Sequence, residues 1–279
     1  MTTDEAPAPG GGAAAKAGRP PFDASVAHQA RIYDYLLGGK DNYAADRAAA
    51  DELARTWPEM AFTAQANRAF LGRAVRYLTE VAGIRQFLDI GTGIPTAGNT
   101  HQVAQAIAPE SRVVYVDYDP VVLAHARALL TSSEAGATDY IDADLRDTDM
   151  ILAQAAELLD FTKPVAITLL AILNAIPDSD DPSAIVARLM GAVPSGSYLA
   201  ISHGGSDLLG KEALDGLAGV ATRRMQQKVV YRSREQIARF FQGTDLVEPG
   251  LVRVEAWRPD PGTSDTAKSS GWCALGRKP

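Results

Sequence analysis

Three acidic residues stand at the ends of three apolar runs: Asp89 in QFLDIGTG, Asp117 in RVVYVDYDP and Asp144 in DYIDADLRD. In the first run, Phe87, Leu88 and Ile90 are strand formers bounded by glycine, the pattern of a buried parallel strand. Gly91, Thr92 and Gly93 follow, and the two glycines let the chain turn sharply and let a ligand lie against bare backbone. An α/β fold places a nucleotide-like cofactor at such a turn. A carboxylate beside the turn repels a pyrophosphate and suits a cation, so Asp89 favours S-adenosylmethionine, which carries an ammonium and a sulfonium there and no phosphate. The spacing G-T-G-I-P-T also puts Thr96 where a dinucleotide fingerprint has its third glycine. Taken alone, one GxG with an acid beside it reads as a tight strand-to-helix turn.

The other two acids shift that balance. Asp117 lies 24 residues beyond Gly93, close to the separation of about 20 at which an acid after the second strand grips a ribose diol. Tyr118 beside it belongs to the same expected contact. Asp119 precedes Pro120 and reads as a helix N-cap. After a third strand, Asp144 and Leu145 stand where adenine is bordered, the acid accepting from its amino group and the leucine packing its ring.

An activated methyl donor needs positioning more than it needs a base, and no nucleophilic triad or metal motif is evident. The catalytic candidates are Tyr33, Lys40 and His203. His203, in ISHGG, is placed at a strand's carboxyl end, the edge where function gathers. Tyr33 and Lys40 lie in RIYDYLLGGKDNYAADR with Asp41, Asn42 and Tyr43 around a double glycine, the composition of a ligand-approached loop. This segment is expected to cover the methyl-donor site. Its plainer reading is two packed helices, with Gly38–Gly39 as a C-cap and Asp41 or Asn42 as the next N-cap. His28, His101 and His125 fall in helical contexts and read as surface or packing residues.

These groups must be positioned by an ordered scaffold. Helices are expected over Ser25 to Leu37, Tyr43 to Thr56 and Thr63 to Val81. Strands follow near 86–90, 112–117, 138–142, 164–172 and 197–203, separated by helices near 99–108, 120–131, 148–159 and 182–192. Such alternation implies an α/β, doubly wound, mostly parallel sheet, with the apolar PVAITLLAIL as a central strand. A helical insertion near 207–222 and a helix over 234–241 come next. The basic stretch from Arg223 to Arg239 reads as a solvated helical face with a capping box, Ser233 and Gln236.

Composition narrows the class. The chain has 279 residues, room for one large α/β domain. The first 21 residues, with APAPGGGAAAKAGRPP, are poor in large apolar side chains and read as a disordered tail without a signal-peptide core. The expected division is 1–21 tail, 22–82 N-terminal helical cover and 83–279 Rossmann-like domain. A net charge of −7 argues against a nucleic-acid partner, and no run of about 18 apolar residues suggests a membrane span. The single cysteine, Cys273, excludes an internal disulfide and a cysteine-rich metal site, and points to a reducing, cytoplasmic setting.

The motifs at Asp89 to Gly93, Asp117 and Asp144–Leu145 resemble those of class I S-adenosylmethionine-dependent methyltransferases. More narrowly, RIYDYLLGGKDNYAADRAAA, ANRAF, FLDIGTGIPTAGNTHQVAQ, VVYVDYDPVVLAHARALL, ADLRD, SREQIARFF and LVEPGL are similar to a bacterial S-adenosyl methyltransferase family abundant in actinobacteria. The similarity runs from about Ser25 to the C-terminus. It implies a Rossmann-like sheet with an antiparallel edge hairpin, here Leu246–Ala256 and Trp272–Arg277. It also implies methyl transfer to a small-molecule acceptor, with S-adenosylhomocysteine as product. Pro95 and Asn174 depart from the superfamily, which often has a third glycine at the first position and a histidine or aromatic at the second. The alternatives are a non-catalytic protein that binds the same cofactor and, disfavoured by Asp89, a dinucleotide oxidoreductase.

Overall fold

The computed structural model describes residues 23–129, 132–262 and 268–279, so the expected tail lies outside the described residues. The elements are α1 Gln29–Leu36, α2 Ala44–Thr56, α3 Met60–Glu80, β1 Gln86–Ile90, α4 Thr100–Ile107, β2 Arg112–Asp117, α5 Pro120–Leu129, β3 Ala137–Asp142 and α6 Thr148–Ala155. These are followed by β4 Ala166–Leu170, α7 Pro182–Gly191, β5 Tyr198–Gly204, α8 Lys211–Val220, α9 Arg234–Ala238, β6 Asp245–Leu246, β7 Val252–Arg253 and β8 Gly271–Arg277. One sheet runs in the order β3-β2-β1-β4-β5-β8-β6, with β7 also on β8. The first five strands are parallel, and β8 enters antiparallel to β5.

The central strands β1 and β4 are buried except at the last residue of β4, Leu170, which is half-buried at the cleft, as their apolar runs require when helices cover both faces. Successive side chains point to opposite faces. Leu88, Ile90, Val114, Val116, Ile167 and Leu169 therefore pack on one face, against Ile151, Ile185 and Leu189 from α6 and α7. Phe87, Val113 and Tyr115 pack on the other, against Phe70, Leu78 and Trp257. The same parity sends Asp89 to the α3 and α4 side.

A third cluster, with Ile32, Ala50, Leu53, Trp57, Leu217 and Val220, joins α1, α2 and α8 into a cover. It is fixed to the sheet by charge. Asp46, fully buried, accepts from the backbone N–H groups of His28 (2.8 Å) and Tyr43 (2.8 Å). Arg31 Nε lies 3.7 Å from Asp46 and 3.6 Å from Asp119, and His28 Nδ1 lies 2.7 Å from Asp119 Oδ2.

Several expected boundaries move. The first helix begins at Gln29 rather than Ser25, because His28 is extended (φ −125°) and its N–H goes to Asp46. The next N-cap is Tyr43, not Asp41 or Asn42. The Asp41 N–H and the Asn42 amide instead donate to Asp34 Oδ2 (2.9 and 2.8 Å), whose side chain fills the space a Cβ on Gly39 would take. The central strand stops at Leu170 because Ala171 turns out of it at φ +56°. The expected strand Leu246–Ala256 is broken into β6 and β7, two short pairings along the outer side of β8. Pro249, which lacks a ladder donor, and Gly250 (φ +83°) lie between them.

The basic stretch is not one solvated helical face, although the Ser233–Gln236 capping box is present. Arg223 and Arg224 pair with Glu52 of α2, and Arg232 is buried at 3% exposure. Trp257 closes the far side of the sheet, edge-on to Phe70 (5.4 Å) and Tyr77 (5.8 Å). Trp257→Ala is expected to lower stability by about 3–5 kcal/mol, read as an earlier urea midpoint. An unchanged midpoint would show that this junction does not contribute to the core.

Candidate active site

The carboxyl edge of the sheet opens into a cleft of about 750 Å³, its mouth included, between the β1–α4 turn and helix α1. Its floor is glycine for two reasons. Gly91 and Gly93 have φ +76° and +64°, a region in which L side chains are strained. A Cβ on Gly91 would also stand 2.5 Å from the Ile172 side chain. Asp117 braces the turn: its Oδ2 accepts from Gly93 N–H (2.9 Å), and its Oδ1 accepts from the N–H groups of Tyr118 (2.7 Å) and Asp119 (3.0 Å). Burial pushes the Asp117 pKa upward, against these hydrogen bonds. Thr92 joins the cleft wall, its hydroxyl 3.3 Å from that of Tyr140.

Asp89 lines the cleft in a different manner from the one its position in the sequence suggests. Both of its oxygens accept from hydroxyls, Thr100 on α4 and Thr168 on β4, each at 2.6 Å. It is 5% exposed, and burial pushes its pKa up. Parity places it beneath the turn, so it anchors β1, α4 and β4 together and presents a buried charge behind the glycines.

A narrower recess of about 350 Å³ continues the cleft past Val116 and Tyr118 to Ala143, Asp144, Leu145 and Ile176. Leu145 is buried at 4% and forms its apolar wall. Asp144 is partly exposed and engaged, because Arg146 bridges it (2.9 Å) and Asp180 (2.7 Å).

The three catalytic candidates separate. Tyr33 stands in the cleft wall, but its hydroxyl donates to Ala64 O (2.9 Å) and accepts from the Asn67 amide (3.0 Å), and burial pushes its pKa up. Lys40 is exposed, outside the cleft wall, which corrects its candidacy: the turn ordered by Asp34 carries it into solvent. His203 is buried at 2% exposure with both ring nitrogens engaged. Nε2 lies 2.9 Å from the Arg232 guanidinium, which can only donate, and Nδ1 lies 2.9 Å from Gly204 O, which can only accept. The proton therefore sits on Nδ1, and burial pulls the pKa down to about 4. No lone pair remains for an acceptor, which removes His203 as a base. Asn174 donates its amide to Val230 O at 2.8 Å and lies 3.3 Å from His203 Nδ1.

Several wall residues are invisible to motif reading. Gln29 reaches from α1 to donate to Ala171 O (2.9 Å). Arg68 lines the cleft and holds Ala97 O (3.1 Å) and Asn99 Oδ1 (2.9 Å) of the turn. Asn67, Ile172 and Gln227 complete it. The only available signal for Asn67 and Arg68 was their place in ANRAF.

The cleft fits a sulfonium nucleoside by its chemistry. It offers backbone bare of Cβ atoms, an acid beside the turn after β2 and an apolar recess beyond.

The comparisons with known proteins place the chain in a family named for this cofactor. A family described as S-adenosyl methyltransferase matches residues 15–279. A crystal structure of a DUF574 family protein from Streptomyces avermitilis MA-4680 superposes with a TM-score of 0.89 at 45% identity, over 92% of this chain and 99% of that one. A candidate methyltransferase from Thermobifida fusca YX superposes with a TM-score of 0.83 at 39% identity, over 95% and 99%. No curated protein matches. The chain therefore belongs to the S-adenosyl methyltransferase family: it is a methyltransferase that takes its methyl group from S-adenosylmethionine.

Proposed function

We propose that the chain holds S-adenosylmethionine along the carboxyl edge of β1, β2 and β3 and methylates a small-molecule acceptor in the cytoplasm of a bacterial cell. The carrying observation is the single cleft that joins the turn at Gly91, Thr92 and Gly93 to Asp117 and then to the Leu145 recess, beneath α1. In this reading the amino-acid tail lies over Gly91 to Gly93, and Asp117 accepts from the ribose hydroxyls. Tyr118 and Leu145 flank the adenine, with Asp144 at the recess mouth. Asp89 keeps the turn in register from below. The buried thiol Cys273 supports a reducing compartment, and no helix among the described residues is long and apolar enough to cross a membrane.

The cofactor supplies a methyl group already activated on a sulfonium sulfur. The chain then has to orient and exclude water. His28, Gln29, Ala30 and Tyr33 of the cover stand across the cleft from the glycine turn, with Gln29 tying α1 to Ala171 at the end of β4. Well-oriented approach alone supplies up to about 7–11 kcal/mol of barrier lowering in favourable systems. Such a mechanism asks nothing of His203.

Calorimetry with S-adenosylhomocysteine is expected to give micromolar binding, about −8 kcal/mol, with NAD much weaker. Binding of NAD as tight or tighter would overturn the reading. Asp117→Asn is expected to weaken S-adenosylhomocysteine by at least about tenfold, since a charge-assisted hydrogen bond is worth about 1.5–3 kcal/mol. Asp119→Asn should instead act on stability. It loses part of a cap worth about 1 kcal/mol and weakens the pairing of Arg31, short of the roughly 3–5 kcal/mol of a fully stranded buried charge because Asp46 remains. A reversed order in paired binding and melting measurements would mean that the roles are exchanged.

His203 sets a third test. Its folded pKa of about 4 lies below the unfolded value of about 6.5. Between those values the unfolded chain takes up a proton that the native chain refuses. Stability should therefore fall as pH drops through this window, by up to about 3–4 kcal/mol. His203→Gln should flatten the profile there, and an identical slope in both proteins would show that His203 is not buried neutral.

A further inference from the structure

A second chamber lies behind α1. It encloses about 730 Å³, its mouth included, the size of a small-molecule site. Gln29, Tyr33 and Ala171 belong to its wall and to the wall of the cofactor cleft, so the two spaces meet across the end of β4. Leu36, Leu53, Met60, Leu217 and Met225 make it apolar. A smaller pocket shares Tyr33, Met60 and Ala171 with it and reaches Asn67 and His203.

Among the described residues, no aspartate, glutamate, lysine or arginine lines either space. His203 is neutral with both nitrogens engaged. The phenols of Tyr33 and Tyr231 are held protonated by burial, that of Tyr231 with its pKa pushed up to about 12. A charged guest would lose its hydration here and meet no counter-charge. The wall also holds no base to take a proton from an acceptor before it attacks.

One polar atom in the wall of the smaller pocket, at its border with the cofactor cleft, waits for a partner. Asn67 is 8% exposed, and its Nδ2 donates to the Tyr33 hydroxyl, whose own proton goes to Ala64 O. That chain of donors fixes the amide's orientation and leaves Oδ1 buried without a hydrogen bond. A buried carbonyl in this state is completed by a donor.

We infer that this chamber and the smaller pocket adjoining it form the acceptor site, and that it takes a neutral, ring-sized aromatic amine whose ring lies in the chamber and whose N–H donates to Asn67 Oδ1 in the smaller pocket. The inference rests on the cofactor assignment proposed above. An aromatic amine remains uncharged at neutral pH and keeps the lone pair that an alkyl ammonium has lost. That lone pair forms the N–C bond to the methyl carbon while the carbon–sulfur bond breaks, its electron pair remaining on sulfur as a neutral thioether. The nitrogen carries the positive charge and releases its proton to water as the methylated amine leaves. No proton has to be accepted by a wall residue at any stage.

The test is calorimetry on the protein saturated with S-adenosylhomocysteine. The probes are 1-naphthylamine, the anion 1-naphthoate, the cation 1-naphthylmethylammonium and the donor-free 1-methylnaphthalene. Saturable binding of 1-naphthylamine is expected, with both charged probes at least about tenfold weaker. Val229→Trp, which fills the chamber from a residue outside the cofactor cleft, should weaken 1-naphthylamine at least tenfold. Unchanged S-adenosylhomocysteine binding by this variant shows that it is folded. Asn67→Leu should abolish the preference for 1-naphthylamine over 1-methylnaphthalene. The inference is overturned if 1-naphthylamine does not bind, if Val229→Trp binds it normally, if a charged probe binds as tightly, or if Asn67→Leu keeps the preference. Failure of S-adenosylhomocysteine to bind the unaltered protein would overturn the cofactor assignment instead.

Discussion

Arg31 is held between two carboxylates, Asp46 of α2 and Asp119 at the start of α5, at 4%, 0% and 2% exposure. Much of the site depends on that contact. Taking three ionic groups out of water costs several kcal/mol each before pairing, so the arrangement persists only because each group is also hydrogen-bonded. Arg31 donates to Val26 O (3.0 Å), Asp46 accepts two backbone N–H groups, and Asp119 accepts from Val121 N–H (2.7 Å). Burial alone would push the Asp119 pKa up; hydrogen bonding from His28 and the nearby positive charge outweigh it and hold it below the usual carboxylate range. That sign means that the carboxylate stabilises the fold above about pH 4 and that its contribution is lost as acid titrates it.

The consequence for function is geometric. The β2–α5 turn that carries Asp119 also carries Asp117 and Tyr118, and α1, fixed by Arg31 and His28, carries Gln29 and Tyr33. One buried cluster therefore sets the distance between the two walls of the cleft. Helix α1 is thus docked onto the cofactor edge through charge, and onto α2 and α8 through the apolar cluster around Leu53 and Leu217. The third N-terminal helix, α3, belongs to the layer on the sheet's face and reaches the cofactor cleft through Asn67, Arg68 and Leu71.

A second polar assembly organises the far end. Arg232 donates to Leu173 O, Ile176 O and His203 Nε2, and pairs with Asp178. It pins the loop after β4 to the end of β5 and fixes the tautomer of His203. Ala171 adopts its left-handed conformation at the head of that loop, between the cofactor cleft and the apolar chamber. Backbone strain of this kind persists where the surroundings over-determine it, commonly at functional sites.

What the amino-acid order determined by itself is what local sterics and periodicity control. The apolar runs at 86–90 and 112–117 are strands at those residues, because a continuous apolar run bounded by glycine or acid has few other stable forms. Gly91 and Gly93, Asp117 beyond the next strand, and the Asp144–Leu145 pair all reach one edge, since a parallel sheet brings every strand's carboxyl end to the same side. Tertiary structure decided which partner each polar group has. Asp89 faces Thr100 and Thr168 rather than solvent because strand parity aims it under the turn. His203 reaches the right edge but is kept neutral by burial, and its Nε2 is occupied by Arg232, a residue whose local sequence reads as surface. Lys40 leaves the site because Asp34 folds the glycine turn outward. Asn67 and Gln29 enter it because α3 and α1 cross the sheet edge at those turns of helix. A hydrogen-bond partner distant in sequence is chosen by strand register and helix docking, and no window of neighbouring residues encodes either.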